Sequence, residues 1–397
     1  MPGPLHGLRI LDLTSVVLGP FATMTLGDLG ADIVKIEAPE GDMLRGIGPG
    51  RNPGMGPMHL AYNRNKRSIV LDLKQPDGRD ALLKLVEGAD AVLHNMRPQA
   101  MAALRLTYDD LRAVKPDIVY CGAYGYGAKG PYASRPAFDD VIQSVSGLSH
   151  LMGLTGDGPR YAPTVLADKT SGLTLVYATL AGLIHKLRTG EGQFIEVPMF
   201  ETMVAFTMSE HLWGRSFVPP LGGTGYDRVL APERRPNRTS DGWVALMPYS
   251  TENWDDFFRF AGREDLVGEP RFATIGSRTE HIRELYAIKA DVSQRHTTQE
   301  WLDYCAAHSI PAAQVNTLDD LFDDPHLKAV DFFHPVEHPS EGPILNLGIP
   351  VRFTASPGDV RRQAPRLGEH SQALLREAGL SEEEIAGLLA RRVAIQG

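Results

Sequence analysis

Over the first half of the chain, short apolar runs bounded by glycine or polar residues alternate with stretches whose apolar side chains recur every three or four positions. The runs at 8–13 and 33–36 read as buried strands, and 21–29 between them as a helix that Gly30 stops. The alternation continues with a strand at 67–73, a helix at 76–86, a strand at 91–94, a helix at 108–114 and a strand at 118–121. Apolar helices are expected over 139–152 and 169–187, and a glycine-flanked turn then leads into a strand at 193–197. This rhythm predicts an α/β fold, with a large, doubly wound, Rossmann-like domain built on a parallel sheet. Ligands of such sheets bind beyond the carboxyl ends of the strands.

The periodicity lapses near Trp213. Residues 213–241 are rich in Pro, Gly and Arg and read as a linker. A strand at 242–247, amphipathic helices over 251–307 and a short strand at 312–315 predict a smaller α+β domain spanning 242–330. Residues 331–397 begin as Pro-rich loops with short strands and end in a Leu-rich helical segment, 371–392. That segment is expected to rejoin the large domain of residues 1–212. A chain of 397 residues exceeds one average core, which agrees with two domains.

A formal charge of −9 speaks against general nucleic-acid binding, which depends on excess Lys and Arg. No apolar run has the length to span a bilayer, and the first residues do not read as a signal peptide. Cys121 and Cys305 lie far apart, outside any metal-ligand spacing, and read as buried thiols in a reducing compartment. A cytoplasmic enzyme is the expectation.

Among the motifs, Gly125-Tyr126-Gly127-Ala128-Lys129-Gly130 matches the dinucleotide fingerprint, but Pro131 and Pro136 follow at once and forbid the helix whose N-terminus would face a pyrophosphate. The turn after the first strand, 15–20, is apolar and holds one glycine, so it too is a poor phosphate cradle. Zinc and serine-hydrolase motifs are absent, and the scattered histidines, His150 and His370 included, read as packing or surface residues. Lys66-Arg67 and Lys74 bracket one strand; they read either as solvated strand ends or as phosphate contacts. Asp168 stands just before a long apolar helix. A carboxylate there caps orphan N–H groups, and the helix N-terminus keeps it ionised at neutral pH. An ionised carboxylate in that position can also act as a covalent nucleophile.

An ordered set of motifs runs through the chain from residue 5 to about 389. It includes Gly19-Pro20, Gly30-Ala31-Asp32-Ile33-Val34-Lys35-Ile36-Glu37, Gly41-Asp42 with Arg45, and Asn65-Lys66-Arg67-Ser68. It continues with Asn95-Met96-Arg97-Pro98, Gly130-Pro131-Tyr132, Asp168 with Gly172, Thr189-Gly190-Glu191-Gly192-Gln193, Asp324-Pro325 and Gly368-Glu369-His370. In these the chain resembles the family III acyl-CoA transferases, the group of formyl-CoA transferase, carnitine CoA-transferase and α-methylacyl-CoA racemase. The resemblance implies that Asp168 is the catalytic nucleophile. It also implies that Val16, Lys35, Leu71, Lys74, Asn95, Met96, Arg97 and Met199 line a coenzyme A site in the large domain, the basic members facing phosphates. Val17, Leu18, Phe138 and Asp139 would form the acyl pocket.

The chain departs from formyl-CoA transferase where Val17-Leu18 replace a Gln-Ala pair and Ala38 replaces an arginine. It departs from the racemases at Phe138, which stands where they carry an acid/base histidine. The implied activity is therefore transfer of CoA from an acyl-CoA to a carboxylic acid through an aspartyl–acyl anhydride and an aspartyl-CoA thioester. No metal or tightly bound cofactor is expected. An acyl-CoA racemase or isomerase on the same fold, and a catalytically idle CoA-binding regulator, remain as alternatives. The family implies a homodimer of interlocked rings. Four arginines in the linker, Arg228, Arg234, Arg235 and Arg238, suggest an acceptor with a second carboxylate.

Overall fold

Six parallel strands form the body of the main sheet in the computed structural model, which describes residues 3–154 and 156–397. They are β1 (Arg9–Leu13), β2 (Asp32–Glu37), β3 (Lys66–Leu71), β4 (Ala91–His94), β5 (Val119–Tyr124) and β6 (Gln193–Pro198). Their spatial order is β3-β2-β1-β4-β5-β6, so the winding direction reverses between β1 and β4. Such a reversal opens a crevice at the carboxyl ends of the two strands.

Alternating residues bury against helices on both faces, as a doubly wound sheet requires. Leu11, Leu13, Val34, Ile36, Ile69, Leu71 and Val92 join one core with the helices Pro76–Glu87, Pro98–Ala103 and Tyr108–Arg112. On the other face the helix Leu166–Thr189 lies so close to the sheet that a Cβ on Gly182 would stand 2.6 Å from Ile195 and 2.8 Å from Val119. The same helix crosses Leu18–Asp28 closely, a Cβ on Gly172 coming 2.8 Å from the Leu18 carbonyl oxygen.

The chain divides into two compact units. The first comprises Met1–Ser149, Tyr161–Phe206 and Ala329–Gly397, and the second His150–Arg160 and Thr207–Lys328. Within the second, β7 (Asn237–Arg238), β8 (Trp243–Leu246) and β9 (Ala312–Gln314) form an antiparallel sheet backed by an aromatic core. There Phe257 stacks on Trp301 with ring centroids 5.1 Å apart. Returning to the first unit, β10 (Phe333–His338) and β11 (Gly342–Leu347) form a hairpin, and β12 (Ala394–Ile395) pairs antiparallel with β3.

Two expected helices are each broken into two. The stretch 139–152 divides into Asp139–Val145 and Leu148–Gly153 at Gly147, whose φ of +84° no helix accommodates. The stretch 371–392 divides into Ser371–Glu377 and Glu382–Ala390 at Gly379, φ +86°, and Ser381 caps the second piece. Its last residues lead into the short strand β12, which lies just beyond the expected helical segment and was not anticipated.

Beneath the carboxyl ends of β1 and β2 lies a buried ionic network. Asp12 is wholly buried and accepts from Lys66 Nζ at 3.0 Å, Thr23 Oγ1 at 2.7 Å, the Thr14 amide at 2.9 Å and the Thr14 hydroxyl. Glu37 takes Arg45 in a two-pronged pair at 2.8 and 2.7 Å and a hydroxyl from Ser68 at 2.7 Å. These partners hold the carboxyl pKa of Asp12 and of Glu37 down to about 2 against the upward push of burial. Both pKa values lie below their unfolded ones, so the stability they supply is complete above about pH 4.5 and disappears as pH falls through about 2.

Asp12→Asn leaves Lys66 as an unpaired buried charge, and should lower the unfolding free energy by about 3–5 kcal/mol in urea titrations at pH 7. Lys66→Met should be destabilising as well. The double variant should lose clearly less than the two single losses added, because the pair acts as one unit. Additive losses would show that the two charges are not coupled.

Candidate active site

A cleft of about 380 Å³ opens at the carboxyl ends of β1, β2 and β3, beside the point where the strand order reverses. Leu13, Thr14 and Ser15 line it from the first strand, Lys35 to Asp42 from the second, Leu71 to Lys74 from the third, and Met96 and Leu104 from the β4 side. Asn95 fastens the turn after β1 to the end of β4: its amide nitrogen donates to the Ser15 carbonyl at 2.7 Å, and the Ser15 amide donates back at 3.0 Å.

That turn is tight. Val16 has φ +65°, a region a β-branched residue enters only when its surroundings hold it there. Its amide donates to Asp42 Oδ1 at 3.2 Å, which is one restraint. The next is Gly19, where a Cβ would collide with the Thr14 side chain.

Of the residues expected at the coenzyme, Lys35, Leu71, Lys74 and Met96 line the cleft, and Val16, Asn95 and Arg97 lie at its β1 and β4 margins. Met199 is buried at the start of the helix Met199–His211 and takes no part in the cleft wall. Lys35 was expected to face phosphates, but its ammonium is fully buried, donating to Thr14 O and to Asp42 Oδ2, each at 3.0 Å. It braces the floor and the turn together.

Lys66 and Arg67 are likewise unavailable. Lys66 binds Asp12, Pro20 O and Asn63, while Arg67 pairs with Asp32 and Glu377. The exposed cations are Lys74 on the cleft wall and Arg97, which donates to Ser134 O at 3.3 Å. The Gly125–Gly130 loop has its amides committed to the protein's own carboxylates: Gly127 donates to Glu201 at 3.1 Å and Ala128 to Glu196 at 2.7 Å. No helix begins at it; residues 131–138 are irregular and the next helix starts only at Asp139, past both prolines.

Asp168 lies in the first turn of the helix Leu166–Thr189 and is 8% exposed. It is not a cap: Val165 occupies the N-cap position and the helix has no side-chain cap there. The Asp168 amide donates to Asp139 Oδ1 at 2.9 Å, which brings a second carboxylate to the same helix end. Asp139, also buried, is fixed by Gln143, whose side-chain nitrogen donates to it and whose oxygen accepts from the Ala162 amide at 2.9 Å.

Burial, then the charges of Asp139 and Asp140, push the Asp168 pKa up to about 7. The expectation of a fully ionised carboxylate at neutral pH is thus corrected. The helix dipole is offset by desolvation and by two like charges that the sequence spacing did not reveal. Tyr62, packed edge-on against Phe21, feels the Asp168 charge and was missed in the sequence. Val17 and Leu18 are buried, whereas Phe138 is 64% exposed.

The family model described as CoA-transferase family III matches residues 5–371. The chain is 30% identical over 390 residues to human succinyl-CoA:glutarate CoA-transferase, covering 97% of this chain and 88% of that protein. It is 32% identical over 384 residues to a succinate–glutarate CoA-transferase of Agrobacterium fabrum, with coverage of 94% and 95%. The crystal structure of Rv3272 from Mycobacterium tuberculosis superposes with a TM-score of 0.81 at 31% identity, covering 94% of this chain and 99% of that one.

The Asp168 pKa is raised above its unfolded value, so the folded state loses stability as pH climbs from about 4 to about 7. Asp168→Asn should therefore match the parent below pH 4 and exceed it at pH 8, by up to about 4 kcal/mol. Thermal melts of both proteins across that range test it. Equal stability at pH 8 would mean that the carboxylate is well solvated or paired.

Proposed function

Because the chain belongs to CoA-transferase family III and is an enzyme that moves coenzyme A between an acyl-CoA and an acid, we propose that Asp168 is its nucleophile and that donor and acceptor are C4–C6 dicarboxylic acids. Asp168 carries this reading: it is a buried carboxylate at a helix N-terminus, held beside Asp139 and poised near neutrality. Two of the relatives named above act, by their names, on succinyl-CoA and glutarate or on succinate and glutarate, which favours short dicarboxylates.

The ionised Asp168 carboxylate attacks the donor thioester carbonyl, forming an aspartyl–acyl anhydride and expelling CoA thiolate. The thiolate attacks the aspartyl carbonyl, giving an aspartyl-CoA thioester and the free donor acid. The acceptor carboxylate attacks that thioester, regenerating an anhydride and the thiolate. Attack of the thiolate on the acceptor's acyl carbon releases the new acyl-CoA and restores Asp168. Each step exchanges one carbonyl substituent for another, so no net proton, electron or metal is called upon.

In this reading Val16, Lys35, Leu71, Lys74, Asn95, Met96 and Arg97 build the coenzyme site, and Met199, buried away from the cleft wall, is not part of it. Lys74 and Arg97 attract its phosphates, Leu71 and Met96 support its apolar parts, and Lys35 acts as a brace. Val17, Leu18, Phe138 and Asp139 bound the acyl group. Two buried free thiols, Cys121 and Cys305, with pKa values pushed up to about 12 and 11 by burial, accord with a reducing, cytoplasmic setting. No helix among the described residues is long and apolar enough to cross a membrane.

An interlocked homodimer is part of the proposal. Leu173, Tyr177, Ile184 and Leu187 are between 53 and 72% exposed on one face of a single helix, an apolar stripe of the kind a second subunit covers. The protein should sediment as a dimer that does not dissociate on dilution. A reversible monomer–dimer equilibrium at micromolar concentration would rule out interlocking.

Asp168→Ala should abolish transfer between succinyl-CoA and a panel of acids while CoA binding persists, and hydroxylamine should trap a hydroxamate on Asp168 in the parent enzyme. A variant that kept a tenth of parental turnover would refute the nucleophile.

In deuterated water a 2-methylacyl-CoA should gain no deuterium at its α-carbon, since Phe138 offers no proton-shuttling group. Rapid exchange that requires Asp168 would favour the racemase.

A further inference from the structure

A second cleft, of about 460 Å³, lies wholly within the second unit, and it gathers cations without their counterions. Met247, Pro311 and Ala312 give it an apolar floor, and Arg234, Arg235 and Lys289 stand around it. Both arginine side chains are exposed, and none of the three cations forms an ion pair among the described residues. Glu233, the adjacent carboxylate, forms no ion pair with them, and its Oε2 is buried with no hydrogen-bond partner.

Lys289 sets this cleft apart from an ordinary solvated arginine patch. The residue is 5% exposed, and its ammonium donates to Leu246 O at 2.9 Å and lies 4.8 Å from the centre of the Tyr286 ring. Burial and the guanidinium groups of Arg228 and Arg234 lower its pKa to about 8. A desolvated ammonium facing like charges is unfavourable in the absence of an anion.

Two arginines expected to serve a carboxylate are already engaged. Arg228 donates to Tyr286 Oη at 3.2 Å and lies over Tyr249, and Arg238 lies over Trp243. That leaves Arg234 and Arg235, whose planar forks match carboxylate and phosphate oxygens alike.

We propose that this cleft is a binding site for a small dianion, a dicarboxylate or a phosphate monoester, whose charge meets Arg234, Arg235 and Lys289 and whose carbon skeleton rests on Met247, Pro311 and Ala312. The site is argued from the second unit alone and does not depend on what Asp168 does.

Calorimetric titration of the full chain with glutarate and, separately, with phenyl phosphate tests it. At least one should bind, and Arg234→Gln and Arg235→Gln should each weaken it by about tenfold, while Lys328→Gln, at the exposed surface of the same unit and outside either cleft, does not. The bound anion should also protect both arginines from phenylglyoxal, read by peptide mass spectrometry. Glutarate binding alone assigns a dicarboxylate site, and phenyl phosphate binding alone a phosphate site. Lys289→Met should weaken binding too, but it also removes a buried hydrogen bond, so the exposed arginine variants decide the matter.

Failure of both anions to bind, or binding and protection that survive in both arginine variants, overturns the proposal. An Asp168→Ala variant that keeps its turnover while the anion still protects these arginines overturns the nucleophile reading and leaves this one intact.

Discussion

The buried carboxylate of Asp12 is the constraint on which the active-site end of the sheet depends. One side chain joins β1 to β3 through Lys66, to the helix Leu18–Asp28 through Thr23, and to the following turn through Thr14. Lys35, which Asp12 helps to keep charged, carries the connection on to Asp42 and so to the amide of Val16. A purely apolar junction would hold these elements with less directional precision, since dispersion contacts tolerate sliding and a hydrogen-bonded ion pair does not. The consequence is a crevice whose floor is rigid and internally neutralised, leaving its exposed rim to meet a ligand.

The strands and the main helices were legible because the apolar period changes from run to helix and back, and burial in this sheet follows that pattern. Ala91–His94 and the start of the helix at Pro76 coincide with their expected positions. What sequence could not convey was the partner of each charge. Lys66 looked like a strand-end cation because its counterion lies 54 residues earlier in the chain. Asp168 drew attention through its place before a long helix, yet the carboxylate that perturbs it lies 29 residues away. The cationic cleft of the second unit was half visible: four arginines stood out, but only the fold separates the two held by aromatic rings from the two left free.

Asp168 sits between opposing influences. The helix N-terminus favours its charge, while burial and two acidic neighbours oppose it. A carboxylate held in this balance is a stronger nucleophile when ionised than one satisfied by several hydrogen bonds, because little must be broken before it attacks. Asp139, anchored by Gln143, thereby fixes the position of the helix end and helps to raise the pKa of the carboxyl upon it.

The small strand β12 has a bearing on biosynthesis. Every residue of β3 is buried, and the carboxyl end of its outer edge pairs with Ala394 and Ile395 while His370 meets it at Ser68. On the ribosome that edge stays open while more than three hundred further residues are made, among them the whole of the second unit with its separate aromatic core. Exposed strand edges invite pairing with other chains. Throughout that stretch of synthesis the nascent chain carries an unpaired strand edge, which makes the late pairing of β12 with β3 a step that guards against misassociation.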